Sequence, residues 1–434
     1  MNAPINTAAV AALADEPVDV HSKGLPVSWS GRTPAQICAT APDLFAAGPV
    51  GPVCTLRADA LAHNLATMAD WCARRGVQLA PHGKTHMSVH LFAKQLDAGA
   101  CALTAGTISQ VRSYRAFGVR DFVLANELVD RAGLRWLART LNTDPNFTLV
   151  CWVDSVRGVD LMAAELAAAG ARRPVDVCVE VGVAGGRTGC RDEATVAEVA
   201  RAAARSSQLR LVGVAGYEGV LGHDVSPAGV TRVTRYLTQL RSAVLRLTGL
   251  FECDDIMVTA GGSTYFDLVA DVLAGGWADG VSTRLVLRSG CYLTHDDGLY
   301  QRTSPLTRPG AGVDQLRPAL SVWAQVCSRP EPGLALLTMG RRDVSFDQDL
   351  PIPLCIRTEN GWSTEGLDRC EVVKLNDQHA FLRLDPAARI AARIEVGSWL
   401  QFGISHPCTV FDKWRLIPVL DEQDRVVELI RTFF

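Results

Sequence analysis

At 434 residues the chain is too long for one simple core and fits two domains, or a barrel with an appendage. Its 21% charged and 48% hydrophobic residues are ordinary globular composition, and a net charge of −3 excludes the positive field that nucleic acid needs. No apolar stretch approaches the roughly 18–20 residues of a membrane helix, and the Ala-rich, acidic start lacks the pattern of a secretory signal, so a cytoplasmic protein is expected.

Residues 1–47 read as an N-terminal extension, with Pro4, Pro17, Pro26, Pro34 and Pro42 and weak periodicity. From residue 50, short β-branched runs alternate with Ala/Leu/Arg-rich stretches of helical period. Strands are expected at Pro52–Arg57, Val77–Pro81, Cys101–Thr104, Asp121–Ala125, Phe147–Asp154, Val175–Val181, Arg210–Tyr217, Asp255–Thr259 and Thr283–Arg288. Helical patterns separate them, as at Asp59–Arg75, Ser155–Ala169 and Pro227–Thr248. With the first run set aside, eight βα units remain, the content of a (β/α)8 barrel over residues 48–308. A doubly wound open sheet has the same periodicity and is the alternative.

Past residue 308 the grammar changes to short strands between turns: Ala319–Ser328, Leu334–Thr338, Glu371–Leu375, Ala380–Leu384, Trp399–Gly403, Trp414–Val419 and Val426–Arg431. Residues 309–434 therefore read as a C-terminal β domain, into which Pro52–Arg57 is free to pair. The 13 cysteines are scattered singly with no CxxC pair, which argues against a zinc ribbon or a disulfide framework and for a reducing compartment.

Residues just past the strands of such a barrel share the face that carries chemistry. Lys84 follows the first barrel strand in Pro81-His82-Gly83-Lys84-Thr85-His86. A strand-end lysine is usually a solvated surface group, but one among polar neighbours at a barrel mouth is able to form an imine. Gly261-Gly262-Ser263-Thr264 reads either as a phosphate cradle or as a tight, capped βα turn. Arg187 offers a planar fork for a ring oxygen, carboxylate or phosphate, or is a surface residue after a Gly-rich turn. Tyr217 and Tyr292 stand at strand ends as cofactor neighbours or as core tyrosines. His406 and Cys408, two apart at the end of an apolar strand, offer a zinc-like ligand pair, and His379 is a further polar group of the β domain suited to a supporting role.

Taken together these segments resemble the fold-type III pyridoxal-phosphate (PLP) enzymes, which share the alanine-racemase barrel, and within them the D-serine dehydratase and D-threonine aldolase group. The carrying segments are Pro81–His86, Gly186-Arg187-Thr188-Gly189, Ala215-Gly216-Tyr217, Gly261–Thr264, Arg288-Ser289-Gly290-Cys291-Tyr292, Ser345–Pro351 and His406-Pro407-Cys408. The resemblance implies an α/β fold, a PLP-binding (β/α)8 barrel with a C-terminal β domain, in a homodimer. It implies Lys84 as the residue linked to pyridoxal 5'-phosphate, Gly261, Gly262, Ser263 and Thr264 on the phosphate, and Arg187, Tyr217 and Tyr292 around ring and substrate. His406 and Cys408 would hold a divalent metal, zinc by their chemistry, beside the substrate's β-hydroxyl. Aldolases of the group tend to carry Asp where this chain has Cys408, so the resemblance tilts toward a dehydratase. Ser405 departs from the Asn often found before the His.

The expected activity is thus loss of water from D-serine or a related D-3-hydroxy amino acid, giving a 2-oxo acid and ammonia. A D-threonine-type aldolase, releasing glycine and an aldehyde, is the alternative. A non-enzymatic PLP carrier or regulator is the reading from another class; it leaves the β domain and the His-Cys pair unexplained.

Overall fold

A computed structural model describes residues 5–308, 314–358 and 361–434. The expected junction at 308/309 borders residues 309–313, outside the described set.

Eight parallel strands form one sheet: β2 (Gln78–Leu79), β3 (Leu103–Ala105), β4 (Asp121–Glu127), β5 (Thr148–Val153), β6 (Val175–Val181), β7 (Leu209–Gly216), β8 (Ile256–Ala260) and β9 (Thr283–Leu287); β1 (Val53–Arg57) precedes them and lies elsewhere. Neighbours run in order from β3 to β9, and β9 then pairs with β2. The ring closes because Cys101 N–H donates to Leu79 O and Thr104 N–H to Pro81 O, each at 2.9 Å. A barrel, rather than an open sheet, is therefore the fold. Its strands are buried on both faces, which explains runs such as Val-Asp-Val-Cys-Val-Glu-Val in β6. Ala80, Val123, Trp152, Cys178, Met257 and Val286 are among the side chains that fill its interior.

Local chemistry sets the helices between strands. Ser155 caps Val156–Ala168 by accepting Gly158 N–H at 3.2 Å, and Asp192 caps Glu193–Ala204 through Thr195 N–H at 2.8 Å. The long helix Ala58–Arg75 stops at Gly76, whose φ of 62° suits glycine.

The second sheet is mixed and built from β1, β10 (Leu320–Glu331), β11 (Leu334–Leu337), β12 (Ile352–Thr358), β13 (Gly361–Ser363), β14 (Cys370–Leu375), β15 (Ala380–Leu384), β16 (Trp399–Gly403), β17 (Leu416–Leu420) and β18 (Val426–Arg431). Strand β1 lies antiparallel to β10, Val53 opposite Trp323, and parallel to β17. The sequence reading misses β12 and β13. Pro353 inside β12 reads as a breaker, yet β12 tolerates it with a register shift between Pro353 and Cys355 against β16. In residues 5–47, Leu13, Trp29, Ile37 and Leu44 are buried in the common core, and Asn6 N–H donates to Phe117 O of the barrel while Leu44 N–H donates to Asp424 O of the sheet.

Candidate active site

The C-terminal ends of the barrel strands converge on one cavity. It is lined by His82, Lys84, Arg187, Tyr217, Gly261, Gly262, Ser263, Arg288, Gly290, Cys291, Tyr300, His406 and Cys408, among others. Segments from six of the barrel strands and from the second sheet thus meet at one place.

Lys84 sits on the tight turn Gly83–Thr85 that follows β2. A Cβ on Gly83 would lie 2.9 Å from Leu103 and Tyr114, so the turn packs only with glycine, and the Tyr114 hydroxyl donates to Gly83 O at 3.0 Å. The two flanking histidines divide. His86 is buried; Ser88 N–H donates to its Nδ1 at 3.0 Å, Nε2 lies 3.2 Å from Gln95 Oε1, and burial lowers its pKa to about 4. His82 lines the cavity, and its Nδ1 is buried without a protein partner. Burial, then the charges of Lys84, Arg288 and Arg187, hold the His82 pKa well below the ordinary imidazole value, so this ring is neutral.

Arg187 lies over the Tyr217 ring, 4.7 Å from its centroid. Burial, with the charge of Glu218 added, pushes the Tyr217 phenol up to about 12, so it stays protonated. Arg288 is buried and donates to Thr259 Oγ1 at 2.5 Å and Gly216 O at 2.6 Å.

Two expectations meet a different geometry. Tyr292 does not line the cavity: its hydroxyl accepts from Gln95 Nε2 at 3.2 Å, and this Gln95–His86 chain turns the ring toward the outside of the barrel wall. The cavity aromatic from this stretch is Tyr300. In the glycine turn, Gly261 and Gly262 line the cavity but their N–H groups donate to the carboxylate of fully buried Glu218, at 3.0 and 2.6 Å. Thr264 sits behind them, its hydroxyl 2.7 Å from His223 Nδ1. Sequence reasoning lacks Glu218 because it follows Tyr217 directly and carries no spacing signal of its own.

The second sheet delivers the remaining side chains. The loop after β16 is tied to the segment 296–299: Asp297 N–H donates to Ile404 O at 3.0 Å, and Ser405 Oγ accepts Leu299 N–H at 3.0 Å. His406 has a φ of 66°, unusual for a non-glycine residue. Asp296 supports it by accepting His406 N–H at 2.8 Å on one oxygen and Gly298 and Tyr300 N–H on the other. His406 Nδ1 is 2.5 Å from Asp347 Oδ2, which leaves Nε2 free to ligate. Asp347 takes the supporting role foreseen for His379, which is exposed in the turn between β14 and β15. Burial alone would lower the His406 pKa; Cys408 and Asp347 outweigh it and push it up to about 9. Cys408 Sγ lies 3.4 Å from Cys291 Sγ and 3.4 Å from Thr85 Oγ1. The Cys291 hydrogen bond, working with His406 against burial, holds the Cys408 thiol well below its ordinary value.

The residues present fit the expected groups. The glycine-lined cavity, the orphaned His82 Nδ1 and the Lys84 amine suit a small aromatic aldehyde with an anionic tail. The ligating atoms of Cys291, His406 and Cys408 lie within 4.8 Å of one another, a donor set suited to a soft divalent metal.

At the ends of β4 and β6, Glu127 and Glu180 form a carboxyl pair; both Glu127 oxygens are buried without partners. Burial, then the charge of Glu180, push the Glu127 pKa from 4.5 up to about 8. Between those values the unfolded chain ionises Glu127 while the folded chain keeps its proton, so stability falls as pH rises and the penalty is complete above about 8. Glu127→Gln is therefore expected to raise the melting temperature by a few degrees near pH 9 and little near pH 5. An equal shift at both pH values would contradict this.

Comparison with known proteins agrees with this architecture. The alanine racemase N-terminal domain family matches residues 56–270, and the serine dehydratase domain family matches residues 319–420. The chain is 27% identical over 352 residues to a D-threonine aldolase of Arthrobacter sp., covering 80% of this chain and 83% of that one. A shorter match, 34% identical over 74 residues, is to a D-threo-3-hydroxyaspartate dehydratase of Delftia sp., covering 17% and 20% of the two chains. The crystal structure of D-threonine aldolase from Filomicrobium marinum aligns with a TM-score of 0.72 at 25% identity, covering 88% of this chain and 95% of that one.

Proposed function

The chain belongs to the fold-type III PLP enzymes of the D-serine dehydratase and D-threonine aldolase family, and from that premise we propose that it is a zinc-dependent dehydratase of a D-3-hydroxy amino acid. It is a PLP-dependent lyase, and D-amino acids are the substrate class of its relatives. The observation that carries the dehydratase reading is the thiol of Cys408 beside His406 in the same cavity as Lys84.

Bound PLP supplies an electron sink for charge developing at the substrate α-carbon. His406 and Cys408 would hold a zinc ion, which would supply Lewis acidity toward a hydroxyl leaving group. The chain's own groups do the rest. The Lys84 amine is the base that takes the α-proton. Neutral His82 adds no competing cation beside it. Arg187, braced on Tyr217, presents its guanidinium to an oxygen of the cofactor or the substrate. Arg288, fixed by Thr259 and Gly216, places a buried positive charge at the cavity floor. Ser263 and the Gly290 turn offer anion donors where the Gly261 and Gly262 amides are engaged by Glu218. The net reaction converts D-serine to a 2-oxo acid and ammonia, with the water lost on elimination regained on hydrolysis.

The match to an aldolase over most of the chain favours a second reading, cleavage of the Cα–Cβ bond to glycine and an aldehyde. Incubating the purified holoenzyme with D-serine and D-threonine separates the two. Equal amounts of 2-oxo acid and ammonia are expected; glycine and aldehyde without ammonia would replace the dehydratase by the aldolase.

A further inference from the structure

We propose that Cys291 is a third protein ligand of the metal, so that the site is a two-sulfur, one-nitrogen zinc centre with one open position. The proposal rests on the reading of His406 and Cys408 as a metal pair. Three observations carry it. First, Cys291 Sγ lies 3.4 Å from Cys408 Sγ, close to the ~3.8 Å separating two sulfurs on a tetrahedral zinc with bonds of ~2.3 Å. Second, the ligating atoms of Cys291, Cys408 and His406 all lie within 4.8 Å of one another. Third, each ligand is held from behind: Asp347 fixes the imidazole, Thr85 touches Cys408 Sγ, and Cys291 is buried against Leu299 and Tyr300.

Three protein ligands leave a fourth tetrahedral position facing the cavity, the arrangement of a catalytic rather than a closed structural zinc. Two thiolates balance the dication's charge, which makes the bound ion a milder Lewis acid than a His-Cys pair would and selects a soft metal over magnesium, calcium or manganese. The open position then falls to the substrate's hydroxyl. Cys291 also sits next to Gly290 on the turn after β9, so one short segment lies beside both the anion donors and the metal.

Zinc K-edge X-ray absorption on the unmodified, zinc-loaded holoenzyme tests this without a variant. Two sulfurs per zinc at about 2.3 Å are expected. One sulfur, or a Cys291–Cys408 disulfide in protein that retains no added zinc, overturns the proposal. Cys291→Ser gives a second test. Its zinc affinity in chelator competition should fall by at least about tenfold. The sulfur-to-metal charge-transfer absorbance of its cobalt-substituted form should fall by roughly half, one of two thiolates being gone. Unchanged affinity and absorbance would also overturn it, and retained PLP absorbance shows that the variant is folded. A one-sulfur zinc in a protein that makes 2-oxo acid would sink this inference alone; two sulfurs in a protein that makes glycine would sink the dehydratase reading alone.

Discussion

Lys84→Ala should lower kcat by at least about a thousandfold, because one side chain both tethers the cofactor and moves the α-proton. Among the described residues of the cavity, no second amine stands beside Lys84 to carry the cofactor. His82, beside it, is kept neutral by burial and by the surrounding cations, and it projects no amine. Tyr217 holds its proton up to about 12, too tightly to act as a base near neutrality. The loss should come with loss of the protein's long-wavelength PLP absorbance, since the turn Gly83–Thr85 would no longer carry a primary amine. Borohydride treatment of the unmodified holoenzyme should fix the cofactor on the peptide containing Lys84. A label found on another lysine, or visible absorbance retained in the variant, would remove Lys84 from this role. Partial rescue of the variant by a small primary amine would place its effect in chemistry rather than in folding.

Removing the metal should be the next largest effect. Lewis-acid stabilisation of a leaving hydroxide is worth several kcal/mol, so chelation is expected to cut turnover by roughly a thousandfold while the PLP absorbance stays. His406→Ala should reproduce that loss. Asp347→Asn should give a smaller one, about 10–100-fold in metal affinity, because it keeps the ligand and removes only the carboxylate that orients it at 2.5 Å. Full activity after complete metal removal would reject the catalytic metal. Failure of His406→Ala to bind PLP would show that the second sheet is needed for the barrel site itself.

The order of effects follows from the architecture. Lys84 stands on a turn packed against the barrel by Tyr114 and Leu103. His406 stands on a loop of the second sheet, in a left-handed backbone conformation that costs on the order of 1–3 kcal/mol and is held by Asp296. The metal ligands are thus positioned by polar contacts between two sheets, and the lysine by apolar packing within one.

Much of the fold was legible in the chain because its signals are local. A β-branched run such as Val175–Val181 followed by a capped helical stretch specifies a βα unit from neighbouring residues alone, and eight such units recur. The exception is instructive. Pro353 hides β12, since a proline costs one ladder hydrogen bond, and only β12's pairing with β16 and β13 makes that loss tolerable. The Pro81–His86 turn and the His406-Pro407-Cys408 triplet were likewise visible as short strings of unusual chemistry.

What the chain alone left undecided is what depends on distant partners. Periodicity is the same for a barrel and an open sheet; closure was decided by the Leu79 and Pro81 carbonyls accepting from Cys101 and Thr104. Tyr292 and Tyr300 look alike at strand and helix ends, and a hydrogen bond to Gln95, 197 residues away, turns the first out of the cavity. Glu218 takes the Gly261 and Gly262 amides from 43 and 44 residues away. Cys291 and Cys408 are 117 residues apart; His406 marks Cys408 in the chain, whereas Cys291 alone reads as a small core residue. By itself the sequence determined the elements and the chemical types at their ends, because both are set by neighbours in the chain. Which of those groups face one another was decided only when two sheets closed over a common cavity, because contact across a core is set by packing and not by spacing.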